Sequence, residues 1–228
     1  MGEFKKYLAE FIGTYTLVFC GTGAIVMNDV SGGVVSHLGV AICFGIVVMA
    51  MIYSFGSISG AHINPAVTLA FYFSKRFPKQ LVGGYITAQI IGAILASFTL
   101  KMLFPTHETL GITLPFDGSA QTFVLEVILT FFLMLVIIFT STGSKETGTL
   151  AGLAIGGVVL MEALFAGPIT GASMNPARSI GPALVSGRIE ELWIYILAPI
   201  LGALLAIMVW KVFNTQATIN YDAPEKSE

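Results

Sequence analysis

The chain has 228 residues, of which 55% are hydrophobic and only 11% are charged. Soluble domains carry about 25% charged residues, so this chain lacks the polar surface that a globule needs in water, and we expect a lipid environment. A net charge of −2 gives no reason to expect a nucleic-acid partner. The 17 phenylalanines and the long apolar stretches also exclude a disordered chain.

Apolar stretches of membrane-spanning length, about 20 residues, recur along the whole chain. They cover roughly 8–27, 35–55, 81–103, 120–141, 149–167 and 192–213. Two further apolar segments, 64–74 and 175–186, are too short to span, and each follows a Gly-rich approach, which is typical of a re-entrant loop. We therefore predict an all-α membrane protein with six transmembrane helices and two re-entrant half-helices.

The glycines fall into two groups. Gly92 and Gly202 lie inside predicted spans, where small residues let neighbouring helices approach closely. The glycines of the two approaches are expected in coil that runs inside the membrane, and they are Gly56, Gly60, Gly167 and Gly171.

Basic residues are unevenly distributed between the two sides of the predicted spans. With the N-terminus inside, one side holds Lys5, Lys6, Lys75, Arg76, Lys79, Lys145, Lys211 and Lys226, whereas the other holds Lys101 and Arg188. Because cytoplasmic loops are enriched in Lys and Arg, we expect both termini in the cytoplasm, with 214–228 as a cytoplasmic tail. The short termini and compact loops favour the cytoplasmic membrane of a bacterium.

The chain also repeats itself. Asn64-Pro65-Ala66 recurs 111 positions later as Asn175-Pro176-Ala177, and segment 85–93 resembles segment 195–203. Each half holds three spans and one half-helix. Because three crossings are an odd number, the second half must run through the membrane inverted relative to the first. We predict one channel domain over 1–228, with repeats at about 5–103 and 120–213 and a site or pathway near the midplane.

The two Asn-Pro pairs predict the starts of the half-helices. Proline suits the first helical position, and the preceding Asn64 or Asn175 can cap it. In an inverted repeat these N-termini meet at mid-membrane, where each carries about half an elementary positive charge and repels cations, including hydronium. The asparagine amides can donate to a passing oxygen, so that a water held there cannot relay a proton. This pattern predicts a passage for neutral polar molecules that blocks ions.

Arg178 follows the second triplet, whereas Val67 occupies the matching position of the first. An arginine at membrane depth indicates a function. Its guanidinium offers five donors to a neutral solute, and its charge repels cations. The alternative is a structural arginine paired with backbone carbonyls, and both roles can hold together.

Three further polar residues occupy positions related to the repeat. Glu10 and Glu126 are expected to accept hydrogen bonds from the re-entrant loops and brace them, with a solute relay as the alternative. His62 precedes the first triplet and is expected to line or brace the loops, or simply to pack. Cys20 and Cys43 are most simply packing residues, although pore-side thiols would make a channel sensitive to mercury.

The motifs SGAHINPAVT (59–68) and GASMNPARS (171–179) resemble those of the aquaporin, or major intrinsic protein, superfamily, and the resemblance extends from Glu10 to about Trp210. It implies a narrow filter on the outer side of the Asn-Pro-Ala region. The positions of that filter in this sequence are Phe44, Ala163, Ala172 and Arg178. The resemblance also implies a homotetramer with one pore in each subunit.

Two departures from the family pattern bear on the solute. Strict water channels usually carry histidine at the position of Ala163, so we expect a wider filter, and glycerol facilitators usually carry aspartate at the position of Ser179. Segment 164–174 most resembles the nodulin-like intrinsic protein branch of plants and its bacterial relatives, whose members pass water, glycerol and uncharged metalloid hydroxides such as arsenous, boric or silicic acid. A water-only channel is the alternative.

Glu162 lies deep in the fifth span, directly before Ala163. A carboxylate inside a span is costly unless it is paired or near water. It is therefore a polar lining or a pH-sensitive element near the outer vestibule, or else a carboxyl satisfied by Ser, Thr or backbone donors.

Two other function classes compete with a passive channel for water and small neutral solutes. A proton- or ion-coupled secondary transporter needs titratable or ion-binding groups at the midplane. This sequence places Asn64 and Asn175 there, and asparagine does not titrate. A membrane-embedded enzyme needs a catalytic cluster, and His37, His62 and His107 are scattered. We expect no catalysis, no cofactor and no metal.

Overall fold

The computed structural model describes residues 2–142 and 148–215, and the regular structure in these ranges is helical. Six of its helices are long and apolar enough to cross a membrane. They are α1 (Gly2–Val30), α2 (Ser36–Ser59), α4 (Lys79–Leu103), α5 (Ser119–Thr142), α6 (Ala151–Thr170) and α8 (Leu192–Thr215). Two short helices, α3 (Pro65–Phe73) and α7 (Pro176–Ser186), complete the predicted all-α membrane fold, which is confirmed. Lys145, Lys226 and segment 216–228 of the predicted tail lie outside the described residues.

The polarity of the bundle is reversed relative to a soluble protein. Large apolar side chains are exposed on each of the six long helices, for example Phe98 and Phe132, whereas Glu10, Glu126 and Arg178 are almost completely buried. An apolar exterior of this extent needs lipid or protein around it. Polar groups are therefore concentrated inside the bundle.

The coil that leads into each half-helix is shorter than the sequence predicted. Helices α2 and α6 continue to Ser59 and Thr170, so Gly56 and Gly167 lie in helices, and their placement in coil was wrong. Each helix ends instead at the next glycine, Gly60 (φ 87°) or Gly171 (φ 81°), whose left-handed conformation is a common helix terminator. Only 60–64 and 171–175 are left as coil.

The two halves pack in matching pairs, because α1 lies on α4 and α5 lies on α8. Glycines at equivalent positions permit both contacts, as the sequence predicted. A methyl group at Gly92 would lie 2.5 Å from the carbonyl oxygen of Phe11, and one at Gly202 would collide with the carbonyl oxygen of Val127. Backbone therefore lies directly against backbone at both helix crossings.

Candidate functional site

The N-termini of α3 and α7 lie against each other inside the bundle. The Nδ2 of Asn64 donates to the carbonyl oxygen of Met174 at 2.8 Å, and the Nδ2 of Asn175 donates to that of Ile63 at 2.9 Å. Each asparagine therefore holds the loop of the other repeat. This reciprocal pair joins the two half-helices at the centre of the molecule.

Each asparagine also caps its own helix. The Oδ1 of Asn64 accepts from the backbone N–H of Ala66 at 2.9 Å, and the Oδ1 of Asn175 accepts from that of Ala177 at 3.0 Å. Both asparagines have extended backbones and precede a proline at the first helical position, as the sequence predicted. Since an amide carries two hydrogens, each Nδ2 has one N–H beyond the bond to the opposite loop.

Glu10 lies under the first re-entrant loop and accepts four hydrogen bonds. Its Oε1 accepts from the hydroxyl of Ser59 at 2.7 Å and the N–H of His62 at 2.9 Å. Its Oε2 accepts from the N–H of Ile63 at 2.7 Å and the amide of Gln89 at 2.8 Å. These donors include the backbone of the coil that ends at Asn64.

Glu126 lies in the same way under the second loop. It accepts from the hydroxyl of Thr170 at 2.7 Å and from the N–H groups of Ser173 and Met174, both at 2.9 Å. A counterpart of Gln89 is missing, because Pro199 stands at the matching repeat position. The two braces are therefore similar but not identical.

Two tyrosines that the sequence analysis did not single out complete the support. Tyr85 donates to the carbonyl of Ser59, and Tyr195 donates to that of Thr170, both at 2.8 Å. Both tyrosines open the repeated segments 85–93 and 195–203, so the repeat itself carried the signal. The phenols stabilise the last residue of α2 and of α6 before the coil begins.

His62 is buried and lines the cavity described below. Its Nδ1 lies 3.1 Å from the hydroxyl of Thr68, and its ring stacks on Phe71 at 4.8 Å between centroids. At its repeat position, Ser173 hydrogen bonds to Ser179 at 2.6 Å. Each loop is thus tied to the side of the half-helix that follows it.

A cavity of about 560 Å³ is lined by residues of both re-entrant loops and both half-helices. It reaches from Ser141 and Thr149, at the α5 and α6 ends nearest segment 143–147, to Arg178. Six of the ten residues that the sequence predicted for the pore motifs and the filter line it, namely Asn64, Asn175, Phe44, Ala163, Ala172 and Arg178. The remaining members of the triplets, Pro65, Ala66, Pro176 and Ala177, begin the half-helices without lining the cavity.

Arg178 is 1% exposed and lies at one end of this cavity. Its Nη1 donates to the carbonyl oxygen of Gly111 at 2.7 Å, whereas its Nε and Nη2 have no hydrogen-bond partner among the described residues. Gly111 belongs to the 104–118 connection and was not singled out from the sequence. One arm of the fork is therefore held by a backbone carbonyl, and the two remaining nitrogens are unpartnered within the described part of the chain.

Phe44 lies beside Arg178, and the other two predicted filter residues line the same cavity. The guanidinium carbon lies 5.2 Å from the centre of the Phe44 ring, a cation–π distance. Ala163 and Ala172 contribute only methyl groups to the lining. The four residues thus combine one aromatic wall, one cation and two small apolar walls.

Two of the three interpretations of Glu162 are wrong for this structure, and the third, a pH-sensitive element near the outer vestibule, stays a prediction. Glu162 is 2% exposed and does not line the cavity, so it is not a polar lining of the vestibule. Both of its carboxyl oxygens lack a hydrogen-bond partner within residues 2–142 and 148–215, so the Ser, Thr or backbone donors of the alternative are missing too. Adjacent residues of a helix differ by about 100° in direction. Because Ala163 faces the cavity, the side chain of Glu162 points into the helix packing instead.

Cys20 and Cys43 lie beside each other on α1 and α2. The Sγ of Cys43 donates to the carbonyl oxygen of Cys20 at 3.3 Å. Both are half-buried, and neither lines the cavity. The thiols are therefore packing residues rather than pore-side groups.

Comparison with known proteins gives the family. Residues 1–210 match the model of the family described as major intrinsic protein. The chain belongs to this family. It is therefore a multi-pass membrane channel for water and small solutes and not an enzyme.

The similar curated proteins support the predicted branch. The chain is 50% identical to aquaporin NIP1-1 of Zea mays over 211 residues, which cover 92% of this chain and 75% of that protein. It is 46% identical to nodulin-26 of Glycine max over 209 residues, covering 91% and 77%. The resemblance to the nodulin-like intrinsic proteins is confirmed. These relatives are plant proteins, so they lend no support to a bacterial origin, which stays a prediction.

The fold is also that of a solved member of the family. The aquaglyceroporin from Plasmodium falciparum superimposes with a TM-score of 0.86 at 23% identity, covering 96% of this chain and 100% of that one. At this identity the likeness establishes the six long helices and two half-helices and no more.

Proposed function

We propose that this channel conducts water and small uncharged solutes, glycerol among them, and excludes protons and ions. One observation carries the proposal: Asn64, Asn175 and Arg178 line a single cavity, and Nε and Nη2 of Arg178 have no hydrogen-bond partner among the described residues. No carboxylate lines that cavity in the part of the chain that the structure describes. A neutral solute therefore meets donors for its oxygens, while a cation meets a fixed positive charge and no counter-ion.

We place the selectivity filter at Phe44, Ala163, Ala172 and Arg178. A polyol fits this set because its hydroxyls can accept from Arg178 while its carbon chain lies along the ring of Phe44. The methyl group of Ala163 leaves room that a histidine ring would fill. Uncharged metalloid hydroxides such as arsenous or boric acid offer the same chemistry, small neutral molecules with several hydroxyls.

Proton exclusion is assigned to the paired half-helices. The N-termini of α3 and α7 direct their positive ends to the same place, and each asparagine keeps one N–H for a passing oxygen. A water that accepts from both amides has both of its lone pairs occupied, so it can donate to neighbouring waters but cannot accept from them, and a proton relay along the file is interrupted. Glu10, Glu126 and His62 would maintain this geometry by bracing the loops rather than by relaying a solute.

The proposal extends to the assembly and its orientation. We propose one channel domain made of two inverted repeats, a homotetramer with a pore in each subunit, and both termini in the cytoplasm. The excess of basic residues on one side supports the orientation. Native mass spectrometry of the detergent-solubilised protein tests the tetramer, and a protease-accessible tag at the C-terminus of protein in sealed vesicles tests the side.

The test of conduction is stopped-flow light scattering of proteoliposomes beside empty liposomes. We expect water and glycerol fluxes with a low activation energy and no dependence on a proton or sodium gradient. Flux that requires such a gradient would support the secondary transporter. Water flux without glycerol flux would support the water-only channel.

A further inference from the structure

The end of α6 contains a proline that removes a backbone donor. Pro168 lies inside Ala151–Thr170. In an α-helix the N–H of residue 168 would donate to the carbonyl of Leu164, four residues earlier, but proline has no N–H, and its ring crowds that carbonyl. Inside a membrane a backbone carbonyl without a donor is costly, and prolines are tolerated there when a neighbouring group supplies the missing bond.

A side chain from another helix lies where the missing donor should be. The Nε2 of His37, in the first turn of α2, is 2.8 Å from the carbonyl oxygen of Leu164. A carbonyl oxygen can only accept, so in this contact Nε2 carries the hydrogen and donates. His37 does not line the cavity, so it reaches the pore only through α6.

Gly167 provides the space for this contact. A methyl group at Gly167 would lie 2.7 Å from the Cε1 of His37, closer than two carbon atoms can approach. The sequence Gly167-Pro168 therefore does two things: glycine admits the imidazole to the helix, and proline leaves it a carbonyl to bind.

The first repeat lacks this arrangement. The position that matches Pro168 is Ser57, which keeps its N–H, and the position that matches His37 is Gly148. The hydrogen bond between His37 and Leu164 is thus absent from the first repeat and breaks the symmetry between the two repeats. It lies on α6, the helix that presents Ala163 to the cavity. Leu164, whose carbonyl His37 holds, directly follows Ala163.

We propose that His37 is a positioning residue of the filter, which replaces the donor removed by Pro168 and fixes the end of α6 so that Ala163 keeps its place against the cavity. The inference rests on the proposed function, because it takes Ala163 to be a filter residue. Without the bond, the end of α6 occupies a range of positions, and a solute that fills the constriction is impeded more than water.

A double-mutant cycle tests whether the imidazole of His37 replaces the backbone donor that Pro168 lacks. His37→Phe removes the donor and keeps a ring, and Pro168→Ala restores the backbone N–H. We expect His37→Phe alone to lower the glycerol-to-water permeability ratio by about two- to tenfold, and the melting temperature by about 2–4 °C, as the loss of one hydrogen bond implies. In the Pro168→Ala background, His37→Phe should have little further effect on either quantity.

Further variants keep the test decisive if Pro168→Ala does not fold. His37→Gln, which retains a donor, should recover most of the ratio, and Gly167→Ala should reproduce His37→Phe. Leu38→Ala, an exposed neighbour on α2, is the control and should change nothing. An equal effect of His37→Phe in both backgrounds, no effect of His37→Phe on the permeability ratio, or a lowered ratio that His37→Gln does not recover would overturn the inference. Absence of glycerol flux in the unmodified protein is a separate result and would count against the proposed function instead.

Discussion

Gly45 of α2 and Gly156 of α6 lie face to face, 111 positions apart in the sequence. A methyl group on Gly45 would lie 2.7 Å from the carbonyl oxygen of Gly156, and one on Gly156 would lie 2.6 Å from that of Gly45. The contact is reciprocal, as expected for equivalent residues of two inverted repeats. It sets the separation of the two helices that carry Phe44 and Ala163.

Alanine at either glycine should therefore push α2 and α6 apart. We expect Gly156→Ala to lower the free energy of unfolding by about 1–3 kcal/mol, the usual cost of overpacking. Thermal unfolding in detergent measures it. The control is Gly157→Ala, because no atom lies within 4 Å of a methyl group there. Equal melting temperatures for the two variants would show that this crossing is not tightly packed.

The ring of Phe44 rests on a second glycine, Gly21 of α1. A methyl group at Gly21 would collide with that ring, so Gly21→Ala should push Phe44 toward Arg178. We expect glycerol permeability to fall by about tenfold, which needs only about 1.4 kcal/mol in the barrier, and water permeability to fall less. Gly23→Ala is the matched control, since its methyl group would make an ordinary 3.4 Å contact with Leu100. If both variants conduct glycerol like the unmodified protein, Phe44 is not part of the constriction.

Ala163→His should convert the filter toward that of a water channel. The added ring occupies the space beside Arg178, so we expect glycerol flux to drop by about tenfold or more while water flux continues. Stopped-flow measurements on the same vesicles give both values. Met161→His, on the exposed side of the same helix, controls for the added imidazole. Unchanged glycerol flux in Ala163→His would remove this position from the filter.

Glu162 is expected to cost stability and to leave transport alone. Burying a carboxyl without a hydrogen-bond partner is costly, and leucine at this position would lose no hydrogen bond to the described residues. Glu162→Leu should therefore raise the free energy of unfolding by about 1–3 kcal/mol. Glu162→Gln should leave the dependence of permeability on pH unchanged, because the side chain does not face the cavity. A less stable leucine variant, or an altered pH profile, would reveal a partner or a role for the carboxyl.

Neither cysteine should make the channel sensitive to mercury. Cys20 and Cys43 lie outside the cavity lining, so mercuric chloride should not reduce the water permeability of the unmodified protein. The Cys20→Ser, Cys43→Ser double variant should respond to mercuric chloride in the same way as the unmodified protein. Val159→Cys provides the positive control, because Val159 does line the cavity. Inhibition that disappears in the double serine variant would place a thiol in the pathway.

Much of the architecture could be predicted because the membrane imposes long apolar helices and because the chain repeats itself. The repeat also located Asn64, Asn175, Glu10 and Glu126, whose hydrogen bonds the structure now gives. Long-range contacts could not be predicted from the sequence. Nothing in the sequence pairs Arg178 with Gly111, or His37 with Leu164, since these bonds depend on how distant segments are brought together. The unsatisfied environment of Glu162 was unpredictable for the same reason.

The width of the filter can be measured as the ratio of glycerol to water permeability in proteoliposomes of the unmodified protein. A filter of one aromatic ring, one arginine and two alanines predicts that both solutes pass at rates well above those of empty liposomes, with low activation energies. Passage of water with glycerol held at the rate of empty liposomes would contradict the account of the filter.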